Sequence, residues 1–379
     1  MSRRTASLLI GFVAIALFIL QNLGTARDVL TGNLQSKQST NQQAAASSAG
    51  TLGHLNDSAD IHYVIVPAQL LTLYTEPEDG IAPVIKEITD ASSSVDLMMY
   101  ELQDSQIENA LASASARGIH VRVLLNEGLH GSSTSANESA YAFLKSHTVP
   151  VEWTSSVFAL THQKTLIVDG KEALIMTFNL TPKYYSTSRD FGVLDSDTHD
   201  VAAIEQTFSD DWNAGTLENE SGAKVTASVV TAPAGDDLVW SPGSKAALLS
   251  IINASKKSLL IYNEEMSDPD IIAALAAAAG RGVNVEIAMT DSSDWHTAFT
   301  TLSNAGAHVR TYSPKASLYI HAKMILSDDT QAFLGSENFS TASLDDNREL
   351  GLFISTPSIL SQLETTFNSD WQGATPFAS

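Results

Sequence analysis

The sequence predicts an α/β fold built twice over, with mixed strands in layered sheets and helices packed on their faces. Three observations carry this. Short β-branched runs alternate with helical stretches, the alternation repeats, and paired residues in the two copies keep a nearly constant spacing.

The first 60 residues stand apart from that pattern. Residues 1–29 open with Arg3 and Arg4, and the apolar run Leu8 to Leu20 (LLIGFVAIALFIL) follows with no charge between Thr5 and Ala26. The uncharged length suits a signal anchor, and Gly24-Thr25-Ala26 offers a small-residue cleavage site for the alternative, a signal peptide. The basic flank places the N-terminus inside and the remainder outside the cytoplasm, so a cell-envelope location is expected, membrane-anchored or secreted after cleavage. Residues 30–60 are rich in Ser, Gln, Asn and Ala without apolar periodicity and read as a flexible polar tether.

The first half, residues 61–215, starts with the strand pattern IHYVIVPA. A helix near Ile81 to Asp90, the strand VDLMMY, a helix through Ile107 to Arg117 and the strand IHVRVLL come next. A linker is expected over 216–237. The second half, 238–379, repeats the series: a helix near Lys245 to Ala254, the strand SLLIY, an alanine-rich helix through Ile271 to Ala279, and the strand VNVEIAM. Asp104 and Arg117-Gly118 recur at Asp268 and Arg281-Gly282, 164 positions later. His162 and Asp211-Trp212 recur at His321 and Asp370-Trp371, 159 positions later. The first copy therefore carries about five extra residues between these points, assigned to the loop NEGLHGSSTSANES.

Composition narrows the partners. The net charge is −22, and residues 1–60 hold only three of the 43 acidic residues, so the repeated region is strongly acidic. Such a surface repels polyanions, and nucleic acid is not an expected partner. There are no cysteines, which removes disulfides, thiolate nucleophiles and cysteine-bound zinc.

The chemistry concentrates in a duplicated constellation. His162 and Lys164 are followed by Asp169, and His321 and Lys323 by Asp328 at the same spacing. On a strand, residues two apart share a face, so each imidazole and ammonium can converge on one anion. The aspartates end their strands at turns, and a structural role is expected for both. Asn179 and Asn338 each lie 17 positions after their histidine, and Asp190 and Glu349 each lie 28 positions after. A carboxylate on one ring nitrogen holds the tautomer that frees the other, and Asp190 and Glu349 are the candidates.

The doubled H-x-K-x-x-x-x-D pattern, each followed by a G-S-x-N-like element, resembles the phospholipase D superfamily over roughly residues 75–375. The resemblance implies a bilobal fold of two α/β/α halves with mixed sheets, both motifs meeting at a pseudo-two-fold interface. It implies phosphodiester hydrolysis or transphosphatidylation through a phosphohistidine, with a phospholipid as the expected substrate. His162 would be the nucleophile and His321 the general acid, the reverse assignment remaining open. Lys164, Lys323, Asn179 and Asn338, with the hydroxyls of Thr177 and Ser336, would bind the phosphate, and no metal or other cofactor would be needed. An exported nuclease or an inactive envelope scaffold are the alternatives. Gly335-Ser336-Glu337-Asn338 fits the second element, whereas Met176-Thr177-Phe178-Asn179 puts methionine where the pattern has glycine. Arg189 and Arg348 are expected in surface or interface ion pairs, and Trp212 and Trp371 in the packing of the repeat. The remaining histidines show no metal-ligand spacing.

Overall fold

Asp104 and Asp268, which mark the repeat in sequence, are equivalent helix caps: each carboxylate accepts the amide two residues on, at 2.7 and 3.0 Å. The structure, a computed structural model, describes residues 70–127, 137–222, 225 and 237–378. The expected anchor, the tether, the strand at 61–68 and most of the linker and of the inserted loop lie outside the described residues. No described helix is long and apolar enough to cross a membrane.

The first half contributes β1 (Leu71–Glu76), β2 (Ser94–Met99), β3 (His120–Leu125), β4 (Val151–Trp153), β5 (Thr165–Val168), β6 (Glu172–Met176) and β7 (Ser188–Asp195). They form a sheet in the order β1-β7-β6-β5-β2-β3-β4, with β2, β3 and β4 parallel and the other pairings antiparallel. The second half adds β8 (Leu238–Ser241), β9 (Ser258–Tyr262), β10 (Asn284–Thr290), β11 (His308–Tyr312), β12 (Tyr319–Ile320), β13 (Lys323–Ser327), β14 (Gln331–Gly335), β15 (Glu349–Ile354) and β16 (Thr375–Pro376). Its sheet runs β16-β11-β10-β9-β13-β14-β15-β8, with β9, β10 and β11 parallel. Both sheets are thus mixed, as expected.

Helices cover the outer faces. In the first half these are α1 (Ala82–Asp90), α2 (Ser105–Ala116) and α3 (Glu138–Ser146), whose Val84, Ile88, Ile107, Leu111 and Leu144 join one core. A longer helix, α4 (Thr198–Ser221), closes that half. In the second half α5 (Lys245–Ala254), α6 (Pro269–Gly280) and α7 (His296–Asn304) build the matching core through Leu248, Ile271, Leu275 and Phe299. The short α8 (Thr341–Asp345) precedes β15, and α9 (Pro357–Gly373) corresponds to α4. A third core joins the inner faces of both sheets with Ile204 and Phe208 of α4 and Leu363 and Phe367 of α9. Each such phenylalanine contributes about 1.5–3 kcal/mol of burial, so the middle layer locks the halves together. The helix α4 runs past the expected boundary at 215. Gly215 marks no break: a Cβ there would lie 2.5 Å from the Trp153 carbonyl oxygen, so glycine serves helix–strand contact inside α4.

Each half also lends backbone to the other. The two residues of β12 pair in parallel with Ser188 and Arg189 of β7, and Thr161 forms the equivalent bridge to Arg348. The amides of His162 and Gln163 both donate to the Arg348 carbonyl at 2.9 Å, and those of His321 and Ala322 to the Arg189 carbonyl at 3.3 and 2.9 Å. The arginine side chains cross over as well. Arg189 donates to Asp370 at 2.7 and 3.1 Å, and Arg348 to Asp211 at 2.8 Å. These are interface pairs and not surface ones, since the arginines are only 4% and 1% exposed. Trp212 and Trp371 pack at the edge of the shared core, stacked on Phe208 and Phe367.

Candidate active site

The crossed strands bring the two histidine motifs to one cavity of about 350 Å³, lined by His162, His321, Asn179 and Asn338. His162 sits just before β5 and His321 just before β13, so strand pairing with the opposite half fixes where both rings point. Nδ1 of His162 lies 2.8 Å from Oε2 of Glu349, and Nδ1 of His321 lies 2.9 Å from Oδ1 of Asp190. Each carboxylate therefore orients the histidine of the other half. Glu349 is held by the Ser343 hydroxyl at 2.6 Å and the Asn347 amide at 3.2 Å, and Asp190 by the Thr177 hydroxyl at 2.6 Å. With Nδ1 engaged, Nε2 of His162 is left to face the cavity, while Nε2 of His321 meets Lys323 and Glu264 at its wall.

Beneath the histidines lie the lysines, both almost wholly buried. Lys164 Nζ donates to the His162 carbonyl at 2.5 Å, and Lys323 Nζ to the His321 carbonyl at 2.6 Å. Asp169 and Asp328 sit at the far ends of β5 and β13. Asp169 accepts the amides of Ser92, Ser93 and Ser94, and Asp328 those of Lys256, Lys257 and Ser258. These bonds tie the turns that open β2 and β9 and hold the Asp169 carboxyl well below its usual range against the desolvation that would raise it.

Residues 84–212 and 248–371 match the family described as "Cardiolipin synthase, PLD-like domain", one copy in each half. The chain belongs to the PLD-like family. It is 26% identical over 347 residues to the major cardiolipin synthase ClsA of Bacillus subtilis strain 168, covering 82% of this chain and 70% of that one. With a cardiolipin synthase of Listeria monocytogenes serotype 4a it shares 23% identity over 349 residues, 83% of this chain and 71% of the other. Among solved structures, the phosphatidylserine synthase of Haemophilus influenzae Rd KW20 is similar with a TM-score of 0.63 at 13% identity, over 84% of this chain and 89% of that one. The polyphosphate kinase of Porphyromonas gingivalis gives 0.59 at 14% identity, covering 80% of this chain and 47% of the kinase. These two likenesses show the PLD-like fold.

Within this PLD-like site the halves differ electrically. Burial pushes the His162 imidazole down to about 4; Glu349 opposes that and Lys164 adds to it. His162 is therefore a neutral ring at neutral pH, donating Nδ1–H to a carboxylate. Burial would raise Glu349, but His162 and Lys164 beside it keep it ionised below the usual range. Burial also lowers the Lys164 ammonium to about 7. His321 meets a different setting, with Lys323 Nζ at 3.2 Å and Glu264 Oε2 at 3.3 Å from its Nε2.

Two expected phosphate ligands are corrected. The Thr177 hydroxyl is spent on Asp190 and also accepts the Phe191 amide at 2.9 Å, while Ser336 Oγ accepts the Leu350 amide at 3.1 Å. Both hydroxyls are committed behind the carboxylates, where they brace the strands. The contrast between Gly335 and Met176 also concerns packing. A Cβ at 335 would meet the Gly351 backbone at 2.5 Å and the Phe333 ring at 2.9 Å, whereas Met176 lies opposite Gly192 and is accommodated.

Tyr100, Glu264, Glu265 and Tyr319 also line the cavity, outside the duplicated motif. Tyr100 sets its ring edge-on to His162 with centroids 4.6 Å apart, and Lys164 Nζ lies 5.2 Å from the same ring. Glu265 accepts the Asn338 amide at 3.2 Å. The signal was present: Tyr100 and Glu264 follow their strands at the same 164-residue offset as Asp104 and Asp268.

Proposed function

We propose that this chain is a phosphatidyltransferase that forms a phosphohistidine on His162 and passes the phosphatidyl group to a hydroxyl acceptor, an alcohol or water. The observation that carries the reading is the unlike setting of two convergent histidines. His162 is neutral and oriented by Glu349, as a nucleophile requires, while His321 meets a carboxylate at each ring nitrogen, as a proton donor does.

In the first step Nε2 of His162 attacks phosphorus. The P–O bond to the headgroup breaks, and the leaving oxygen takes the proton from Nε2 of His321. In the second step the acceptor hydroxyl returns a proton to His321 as its oxygen attacks phosphorus and the P–N bond breaks. Lys164, Lys323 and the amides of Asn179 and Asn338 stabilise the charge that builds on the non-bridging oxygens. Family membership and the named cardiolipin synthases support a phospholipid donor. Glu101, Glu264 and Glu265 line the same cavity and disfavour a polyanionic strand. An apolar N-terminal segment would hold the enzyme at the outer face of the membrane.

The test is to incubate purified residues 60–379 with phosphatidylglycerol vesicles in excess chelator and follow lipid products by mass spectrometry. New diester or phosphatidic acid is expected. Lipid left intact with and without divalent ions, while single-stranded DNA is cleaved, would overturn the reading.

A further inference from the structure

Glu264 stands where Tyr100 stands in the first half, and the two side chains do opposite things. Tyr100 lays a ring edge against His162. Glu264 instead places Oε2 at 3.3 Å from His321 Nε2 and 3.1 Å from Lys323 Nζ, while its Oε1 accepts the Tyr319 hydroxyl at 2.8 Å. An imidazole nitrogen and a buried ammonium are the donors that a phosphodiester oxygen requires, and a carboxylate already holds them. Its side chain is 26% exposed, so it can turn outward from the rim of the cavity. Burial would raise this carboxyl, yet His321 and Lys323 hold it well below the usual range, so it stays an anion at neutral pH.

We propose that Glu264 is a specificity-determining residue: a resident anion in the phosphate pocket, displaced more readily by a phosphodiester whose alcohol portion offers hydroxyl or ammonium donors to the freed carboxylate. The inference rests on the function proposed above. A diester with no such donors must break the contacts of Glu264 to His321 and Lys323 and leave its charge unpaired beside a second anion, on a wall that already carries Glu101 and Glu265. A headgroup with an ammonium or several hydroxyls pairs the carboxylate again as the phosphate takes its place. Charge-assisted bonds of this kind make the difference worth about tenfold in affinity.

Calorimetric titration of the full chain with dimethyl phosphate and with glycerophosphoethanolamine reads this without turnover. The intact protein should prefer glycerophosphoethanolamine by about tenfold. Glu264→Gln should bind dimethyl phosphate about tenfold more tightly and gain nothing for the other ligand, so the preference collapses. Tyr319→Phe, which removes the anchor and leaves the charge, should tighten dimethyl phosphate by a smaller factor and serves if the Gln variant does not fold. Adding Lys323→Met should abolish the gain. Equal affinities in the intact protein and Glu264→Gln, or an equal gain for both ligands, would overturn the proposal. Lipid turnover with unchanged affinities would remove this inference and leave the function standing. The stated affinities without any turnover would do the reverse.

Discussion

Glu349 Oε2 lies 2.8 Å from Nδ1 of His162, although 187 residues separate them and they belong to different halves of the repeat. Asp190 and His321 form the mirror pair at 2.9 Å. Neither half holds a complete histidine–carboxylate unit, so the reaction centre exists only when both sheets are docked.

Glu349→Gln keeps the shape of the side chain and removes the charge that orients His162 and, in the proposed mechanism, supports it as phosphorus is attacked. Its kcat should fall about a hundredfold or more. Because the carboxylate acts through the ring, the double variant His162→Ala/Glu349→Gln should be no slower than His162→Ala alone. Independent, multiplying losses in steady-state kinetics would mean that Glu349 acts elsewhere.

Two buried groups bound the pH profile of the proposed reaction. His162 must be neutral to attack, and burial sets that limit at about 4. Lys164 must be charged to bind phosphate, and burial sets that limit at about 7. A plot of kcat/KM should rise near pH 4 and fall above pH 7. In kcat the alkaline limb should move upward, because a bound phosphate favours the charged ammonium. A flat profile between pH 5 and 9 would contradict the assignment of Lys164.

Glu76 pairs with Asp190 across β1 and β7, and both its carboxyl oxygens lack a hydrogen-bond partner among the described residues. Burial, then Asp190, raises its carboxyl to about 8. The folded protein keeps this group protonated while the unfolded chain ionises near 4.5, so stability is lost as pH rises from about 4.5 to about 8. Glu76→Gln should raise stability by on the order of 2–4 kcal/mol at pH 8 and by little at pH 4. Denaturant unfolding at both values checks it, and an equal change at the two would show that ionisation is not the cause.

The repeat, the strand–helix alternation and the paired histidines, asparagines and carboxylates of the site were legible because they follow period, spacing and duplication. The helices expected near 81–90 and 245–254 lie at Ala82–Asp90 and Lys245–Ala254. The β1 strand at Leu71–Glu76 was missed because its LTLYTE pattern lacks a continuous apolar run. The exchange of carboxylates was hidden for another reason: a 28-residue spacing says that His162 and Asp190 recur together, but not which histidine Asp190 reaches. That depends on two bridges between halves, Tyr319 to Ser188 and Thr161 to Arg348, which are too short to leave a periodic signal. Thr177 and Ser336 were misplaced because a hydroxyl near a phosphate pocket serves the carboxylate behind it as readily as the ligand in front.

In the proposed mechanism the two histidines hold different roles in one site, and trapping the covalent intermediate distinguishes them. His321→Ala should be severely slowed on an alkyl phosphodiester, whose leaving oxygen needs a proton, yet remain partly active on a p-nitrophenyl diester, whose leaving group needs none. Quenched with a labelled substrate, that variant should carry the phosphoryl group on His162, and His162→Ala should carry none while losing about a thousandfold or more in turnover. Label found on His321 in the His162→Ala protein would reverse the roles and contradict the account.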